Sequence, residues 1–229
     1  MKKYLSQQFR QRDYDYTAEF EVRDQTAMIL ADPCYQDHHL ELIQSASQTN
    51  KPVVEGSVGN YLRNMKPGRY RVEIRNISGY KHTASWTCKH VGTSTYTREI
   101  ELDVPVDSGQ VGLFFADSAY QTDEIPQDEI QTEATKLGWE NQHPWYLYMC
   151  ATSLNYYYVN AMGICTDSGW GDGNYQAFAY LNDQDEIVGI EVLFVEYCAS
   201  CGGEVGDCQC DDTCPDCGEY YENCTCFED

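Results

Sequence analysis

The sequence predicts an α+β fold dominated by antiparallel sheet, arranged as one sheet or a sandwich with one principal helix, followed by a small C-terminal zinc-binding module. Three observations carry this expectation. Apolar and polar residues alternate through much of residues 1–196, turn-forming residues separate the runs at hairpin spacing, and a cysteine-rich segment takes over at 197–229. The chain of 229 residues is long enough for one large domain or two small ones. The boundary is placed at Tyr197, where strand periodicity stops and glycine, acid and cysteine begin.

Residues 1–16 are polar, with interleaved Tyr4, Tyr14 and Tyr16, and read as an arm. Ala18 to Arg23 alternates as a strand, and Ala27 to Leu30 is a short apolar strand stopped by Asp32-Pro33. Leu40 to Ala46 suits a short helix. Met65-Lys66-Pro67-Gly68 supplies a turn before Arg69 to Ile77, the clearest alternating strand, whose basic residues fall on its wet side. Thr83 to His90, Thr95 to Val104 and Gln110 to Phe115 continue the β-branched and aromatic pattern. The principal helix is expected over Gln127 to Trp139, because Pro126 opens its first turn and Asp128 and Glu129 suit its positive end. Trp145 to Cys150 and Tyr156 to Cys165 are aromatic-rich. Tyr175 to Leu181 and Glu186 to Tyr197 flank Asn182-Asp183-Gln184-Asp185 as a hairpin.

Charge is distributed unevenly. Residues 1–100 hold 14 of the 15 basic residues and 11 acids, a balance of +3, whereas residues 101–229 hold Lys136 alone against 26 acids, a balance of −25. A net charge of −22 disfavours direct binding to nucleic acid or an anionic membrane, and favours either plain solubility or docking on a basic protein partner. No apolar run approaches the roughly 18 residues of a membrane span, and the polar start lacks the apolar stretch of a signal peptide. A cytoplasmic protein is therefore expected. The oligomeric state is not legible.

Eight of the 12 cysteines fall in residues 198–226 as a tandem repeat. Cys198-Ala199-Ser200-Cys201-Gly202 with Cys208-Gln209-Cys210 recurs 16 residues later as Cys214-Pro215-Asp216-Cys217-Gly218 with Cys224-Thr225-Cys226. A C-x-x-C-G knuckle brings two thiolates onto one tetrahedral ion, so each repeat supplies a complete four-sulfur shell and two structural Zn2+ are expected. Each repeat closes its own site, or the two knuckles share one ion and the two C-x-C pairs the other. Disulfides and an iron–sulfur cluster are the rivals; the first lacks an export signal, and paired knuckles of this kind are commoner around zinc. Closed shells leave no open position for catalysis, and nine acids with no base in 197–229 argue against a nucleic-acid finger.

Three stretches share an Asp/Gly vocabulary: Asp32-Pro33-Cys34-Tyr35, Asp107-Ser108-Gly109-Gln110 running on to Asp117, and Asp167-Ser168-Gly169-Trp170-Gly171-Asp172-Gly173-Asn174-Tyr175. Met28 to Tyr35 and Leu113 to Tyr120 also match in detail, which suggests an internal duplication. Candidate ligand-binding residues are Asp32, Asp107, Ser108, Gly109, Asp117, Asp167, Asp172, Gly173 and Tyr175. Their carboxylates suit Ca2+ or Mg2+, or an acid/base pair, if the strand ends converge. Alternatively these triplets only close turns on their own backbone. His38-His39 beside Asp37 reads as solvated loop rather than metal site.

The segments 106–120 and 165–195, and more weakly Asp32 to Tyr35, resemble an uncharacterised domain of bacterial and tailed-phage proteins. That domain has a D-S-G-Q strand start and a later G-D-G-x-Y segment. The resemblance implies a fold neighbourhood and a bacterial or phage origin, with host cytoplasm as the location if phage-encoded, but no reaction. Functionally, two classes follow: a non-enzymatic acidic protein that binds or inhibits a basic or nucleic-acid-binding partner, and a small-ligand or divalent-metal binder or hydrolase built on the Asp/Gly loops. No phosphate loop, zinc-protease helix or nucleophile elbow appears, so the first is preferred.

Overall fold

The computed structural model describes residues 3–4, 16–24, 26–77, 82–116, 135, 157–160 and 163–195. The chain divides into two compact units, Met1–Phe194 and Val195–Asp229. In chain order the first unit contains β1 (Lys3–Tyr4), β2 (Tyr16–Val22), β3 (Met28–Ala31), α1 (Gln36–Ser47), β4 (Val53–Gly56), β5 (Gly59–Leu62), β6 (Gly68–Asn76) and β7 (Thr83–His90). There follow β8 (Thr95–Tyr96), β9 (Arg98–Val106), β10 (Gln110–Phe115), β11 (Tyr157–Asn160), β12 (Gly163–Asp167), β13 (Gly173–Leu181) and β14 (Ile187–Leu193). The helix expected over 127–139 lies outside the described residues except for Thr135, which is helical, and Trp145 to Cys150 also lies outside them.

The strands form two six-stranded antiparallel sheets. One has the order β2-β6-β7-β14-β13-β9 and the other β11-β12-β10-β3-β5-β4; β1 and β8 make a separate two-stranded ribbon. Alternation sets which side chains meet between them. On β6, Tyr70, Val72 and Ile74 face inward with Trp86 of β7 and Val192 of β14, and from the other sheet Leu30, Leu62, Leu113 and Ile164 join the same core. The wet side of β6 carries Arg69 and Arg71, both paired with Glu19 of β2, at 3.4 and 3.0 Å. Arg75 departs from that pattern and is buried.

The hairpin of β4 and β5 has no counterpart in the expected elements. Its strands are four residues each and carry glycine at Gly56 and Gly59, so neither shows a readable period. Helix α1 packs Leu42 and Ile43 with Ile29 and Ala31 of β3, covering the outer side of the second sheet. Arg63, just past β5, donates to the main-chain carbonyls of Ala46 and Thr49 and so closes the last turn of α1.

His38 and His39 lie on this helix and not in a solvated loop. His38 is exposed beside Glu41, while His39 is fully buried. Adjacent helical residues point about 100° apart, so one reaches solvent and the other the sheet. Burial pushes the His39 pKa down to about 4, only partly offset by the Asp32 main chain. Above pH 6.5 the ring is neutral in both folded and unfolded chains. Below it, the unfolded chain binds a proton that the folded ring refuses, so stability is lost as pH falls towards about 4. Urea unfolding of wild type and His39→Leu at pH 7 and pH 4.5 should show the acid-induced loss reduced by about 2–3 kcal/mol in the variant. An equal loss in both proteins would remove His39 from the account.

Glu191 of β14 is a second buried ionisable group, 3 % exposed, accepting from the Tyr180 hydroxyl across the β13–β14 pair. Burial raises its pKa, against the pull of Tyr180 and of the cations Lys89 and Arg75. Among the described residues no helix is long and apolar enough to cross a membrane.

Candidate functional site

Two connections cross between the sheets side by side. Residues Asp107 to Gly109 carry the chain from β9 to β10, and Ser168 to Asp172 carry it back from β12 to β13. Because β9 pairs with β13 and β10 with β12, ending at Val106↔Gly173 and Gln110↔Asp167, the two crossovers are held against each other. Strand β3 lies on the other flank of β10, with Ala31 opposite Gly112, which brings Asp32 to the same corner. Asp32, Asp107, Ser108, Gly109, Asp167, Asp172, Gly173 and Tyr175 thus gather at one end of the sandwich. Asp117 and the eight cysteines from Cys198 to Cys226 lie outside the described residues.

Asp32 is fully buried, and its carboxylate is occupied by backbone donors. Oδ2 accepts from the amides of Asp107 at 2.8 Å and Ser108 at 2.7 Å; Oδ1 accepts from the Cys34 amide at 2.7 Å and the Ser108 hydroxyl at 2.6 Å. Successive amides aimed at one point make a concavity for an anion, and here the anion is supplied by the chain itself. The amides converge because Gly109 turns the backbone at φ +68°, a conformation that side chains with a Cβ adopt at a cost. Asp107 points outward, and its carboxylate accepts from the Tyr35 hydroxyl, which holds that phenol well above its ordinary range.

Asp167 repeats the device at the end of β12. Its Oδ1 accepts from the Thr83 amide at 2.9 Å, and its Oδ2 lies 2.7 Å from His82 Nδ1, so that nitrogen carries the proton. The loop beyond is braced internally: the Ser168 amide donates to Gly109 O at 2.9 Å, and the Ser168 and Tyr175 hydroxyls donate to Gly171 O at 2.6 and 2.8 Å. Gly169 sits at φ +68° with Thr83 O 2.9 Å from where a Cβ would stand, so only glycine passes this point without displacement.

The corner therefore joins loops, and the carboxylates of Asp32, Asp107 and Asp167 are engaged as acceptors. Among the described residues no three His, Cys, Asp or Glu side chains are grouped to hold a metal ion. An open hollow of about 570 Å³ lies elsewhere, on β2 and β6, between Thr17, Ala18, Glu19, Arg71 and Glu73; Arg71 and Glu19 are paired across it. The matching apolar segments β3 and β10 are neighbours and pair antiparallel, with Leu30 opposite Leu113.

No family model, curated protein or solved structure matches the chain. The likeness of the Asp/Gly segments to a bacterial and phage domain thus rests on those residues alone. Tyr35, His82 and Thr83 belong to the corner though none is among the expected site residues; all three act through contacts with residues more than 70 positions away, which no local pattern displays.

Proposed function

We propose that this is a non-enzymatic, acidic protein that binds a basic protein partner in the cytoplasm, with interference with a nucleic-acid-binding protein as the form of binding that its charge best suits. The observation that carries this reading is the row Glu99, Glu101 and Asp103 on edge strand β9. All three are exposed, and the groups that bond them are neutral: the Tyr96 hydroxyl and the amides of Gln176 and Asn174. Their negative charge is not cancelled there. Among the described residues several cations of the same unit are instead drawn into pairs, Lys66 with Glu186 at 2.7 Å, Lys89 with Glu73 at 3.5 Å and Arg98 with Asp185 at 2.8 Å. Close pairing at short range leaves the unpaired acids to set the long-range field. The alternative, a ligand or divalent-ion site on the Asp/Gly loops, has weaker support, because the Asp32 carboxylate is occupied by three amides and the Ser108 hydroxyl and that of Asp167 by the Thr83 amide and His82.

Two Zn2+ on the eight clustered thiolates belong to the same reading as a structural element. Pull-down from bacterial lysate at about 0.05 M and about 0.5 M salt tests the binding claim, because screening shortens from roughly 14 Å to roughly 4 Å over that range. A partner retained at low salt, lost at high salt, and released from a Glu99→Gln/Glu101→Gln/Asp103→Asn variant is the expected result. Capture that ignores both salt and the triple variant would overturn it.

A further inference from the structure

We propose that Trp170 is the anchor of the binding surface, where the ring receives a lysine or arginine side chain of the partner; this rests on the acidic-surface reading above and gives it a contact point. Among the described residues only Leu40 and Trp170 are large apolar side chains left exposed, and Trp170 is 58 % exposed. A tryptophan at a loop tip is often exposed because the loop frays. Here the loop is pinned on every side: Asp167 to Thr83 and His82, the Ser168 amide to Gly109, and the Ser168 and Tyr175 hydroxyls to Gly171. Those bonds fix the loop, and the indole itself leans on His82 with ring centroids 6.1 Å apart, so the exposure belongs to the fold; an aromatic group held in this way and left largely in solvent is what binding hot spots use.

The carboxylates beside the loop select a cation. Asp172 follows two residues later and is exposed, and Asp107, also exposed, stands opposite it one step beyond the last paired residues, Gly173 and Val106. Strand β9 leads into that corner, so the carboxylate row Glu99, Glu101 and Asp103 runs towards the end of the sheet at which Trp170 sits. The indole ring is the strongest of the aromatic faces for a guanidinium or ammonium group, and adjacent carboxylates add attraction at the same place. A neutral sugar would also stack on an exposed indole, yet the concentration of acids at this end offers it no advantage over a basic chain. The occupant that fits is an extended basic segment of a protein, with one cation over Trp170 and others along β9.

The test uses the full-length chain and a fluorescently labelled hexa-arginine peptide, titrated by fluorescence anisotropy at low and high salt. Trp170→Ala should weaken low-salt binding about fivefold and Trp170→Phe about twofold, with the salt dependence kept, because the ring contributes locally and the acids act at range. Far-ultraviolet circular dichroism of both variants should match wild type, as the side chain is mostly in solvent; if Trp170→Ala misfolds, Trp170→Phe decides alone. Unchanged affinity in the folded variants, with salt-dependent binding intact, overturns the anchor and leaves the acidic-surface reading standing. Absence of salt-dependent binding by wild type overturns that reading and the anchor with it. Binding of a neutral oligosaccharide that Trp170→Ala abolishes also overturns the proposal, since the ring would then serve a different class of ligand.

Discussion

Replacing Asp32 with alanine should destabilise the first unit by about 3–5 kcal/mol, among the largest effects of any single substitution in it. The carboxylate accepts from three main-chain amides and one hydroxyl in a fully buried position. Truncation leaves those donors without acceptors, and each orphaned buried group costs about 1–3 kcal/mol, less whatever water regains on entering the space. The amides come from two loops, one following β3 and one joining β9 to β10, so the loss also releases the crossover between the sheets. For a unit of this size about 4 kcal/mol corresponds to a fall of roughly 10 °C in Tm. Asp32→Asn should fall between alanine and wild type, because one carboxamide oxygen still accepts while the NH2 group faces donors. Differential scanning calorimetry on the three proteins checks the order. A Tm for Asp32→Ala within about 2 °C of wild type would show that the amides are satisfied in some other way.

The Asp32 clamp also shows what the sequence displays and what it conceals. Asp, Ser and Gly at strand ends mark a place where the chain turns, and the three stretches that share this vocabulary do meet at one corner. What the residues do there depends on backbone amides 75 positions away, and an amide has no residue identity by which it can be read. For the same reason Asp32 is as compatible with a metal ligand as with a latch until its neighbours are placed. Strands β7 and β10 coincide with the expected Thr83 to His90 and Gln110 to Phe115, because β-branched and aromatic residues mark them even though both strands are buried on both faces and show no alternation. The β4–β5 hairpin is invisible because four residues per strand cannot establish one. His39 was obscured by polar neighbours: Asp37-His38-His39 looks solvated in one dimension, and only the helical rotation of α1 separates a wet histidine from a buried one. Trp170 stands within a motif that is easily read as a turn. Its exposure emerges only once the bonds of Asp167, Ser168 and Tyr175 show the loop to be fixed.

Removal of zinc is expected to have the largest effect of all, and to be confined to the C-terminal segment. Native mass spectrometry of anaerobically purified chain should show two Zn2+, and a strong chelator should remove both. A stretch of about thirty residues cannot bury enough apolar surface to stay folded unaided, and structural zinc in small modules contributes on the order of 10 kcal/mol. Chelation should therefore make residues 197–229 susceptible to protease while the sandwich keeps its cooperative unfolding transition. Loss of that transition as well would mean that the tail and sheets fold as one. The same measurement separates the two wirings by paired substitution. If each repeat closes its own site, Cys198→Ser with Cys208→Ser damages only the first repeat and one Zn2+ remains on Cys214, Cys217, Cys224 and Cys226. If the knuckles share one ion and the C-x-C pairs the other, the same two changes strike both shells, and neither ion keeps four thiolates. One zinc retained at native affinity indicates separate sites, weak or absent binding of both indicates shared ones, and undiminished binding of two would show that these cysteines are not the ligands.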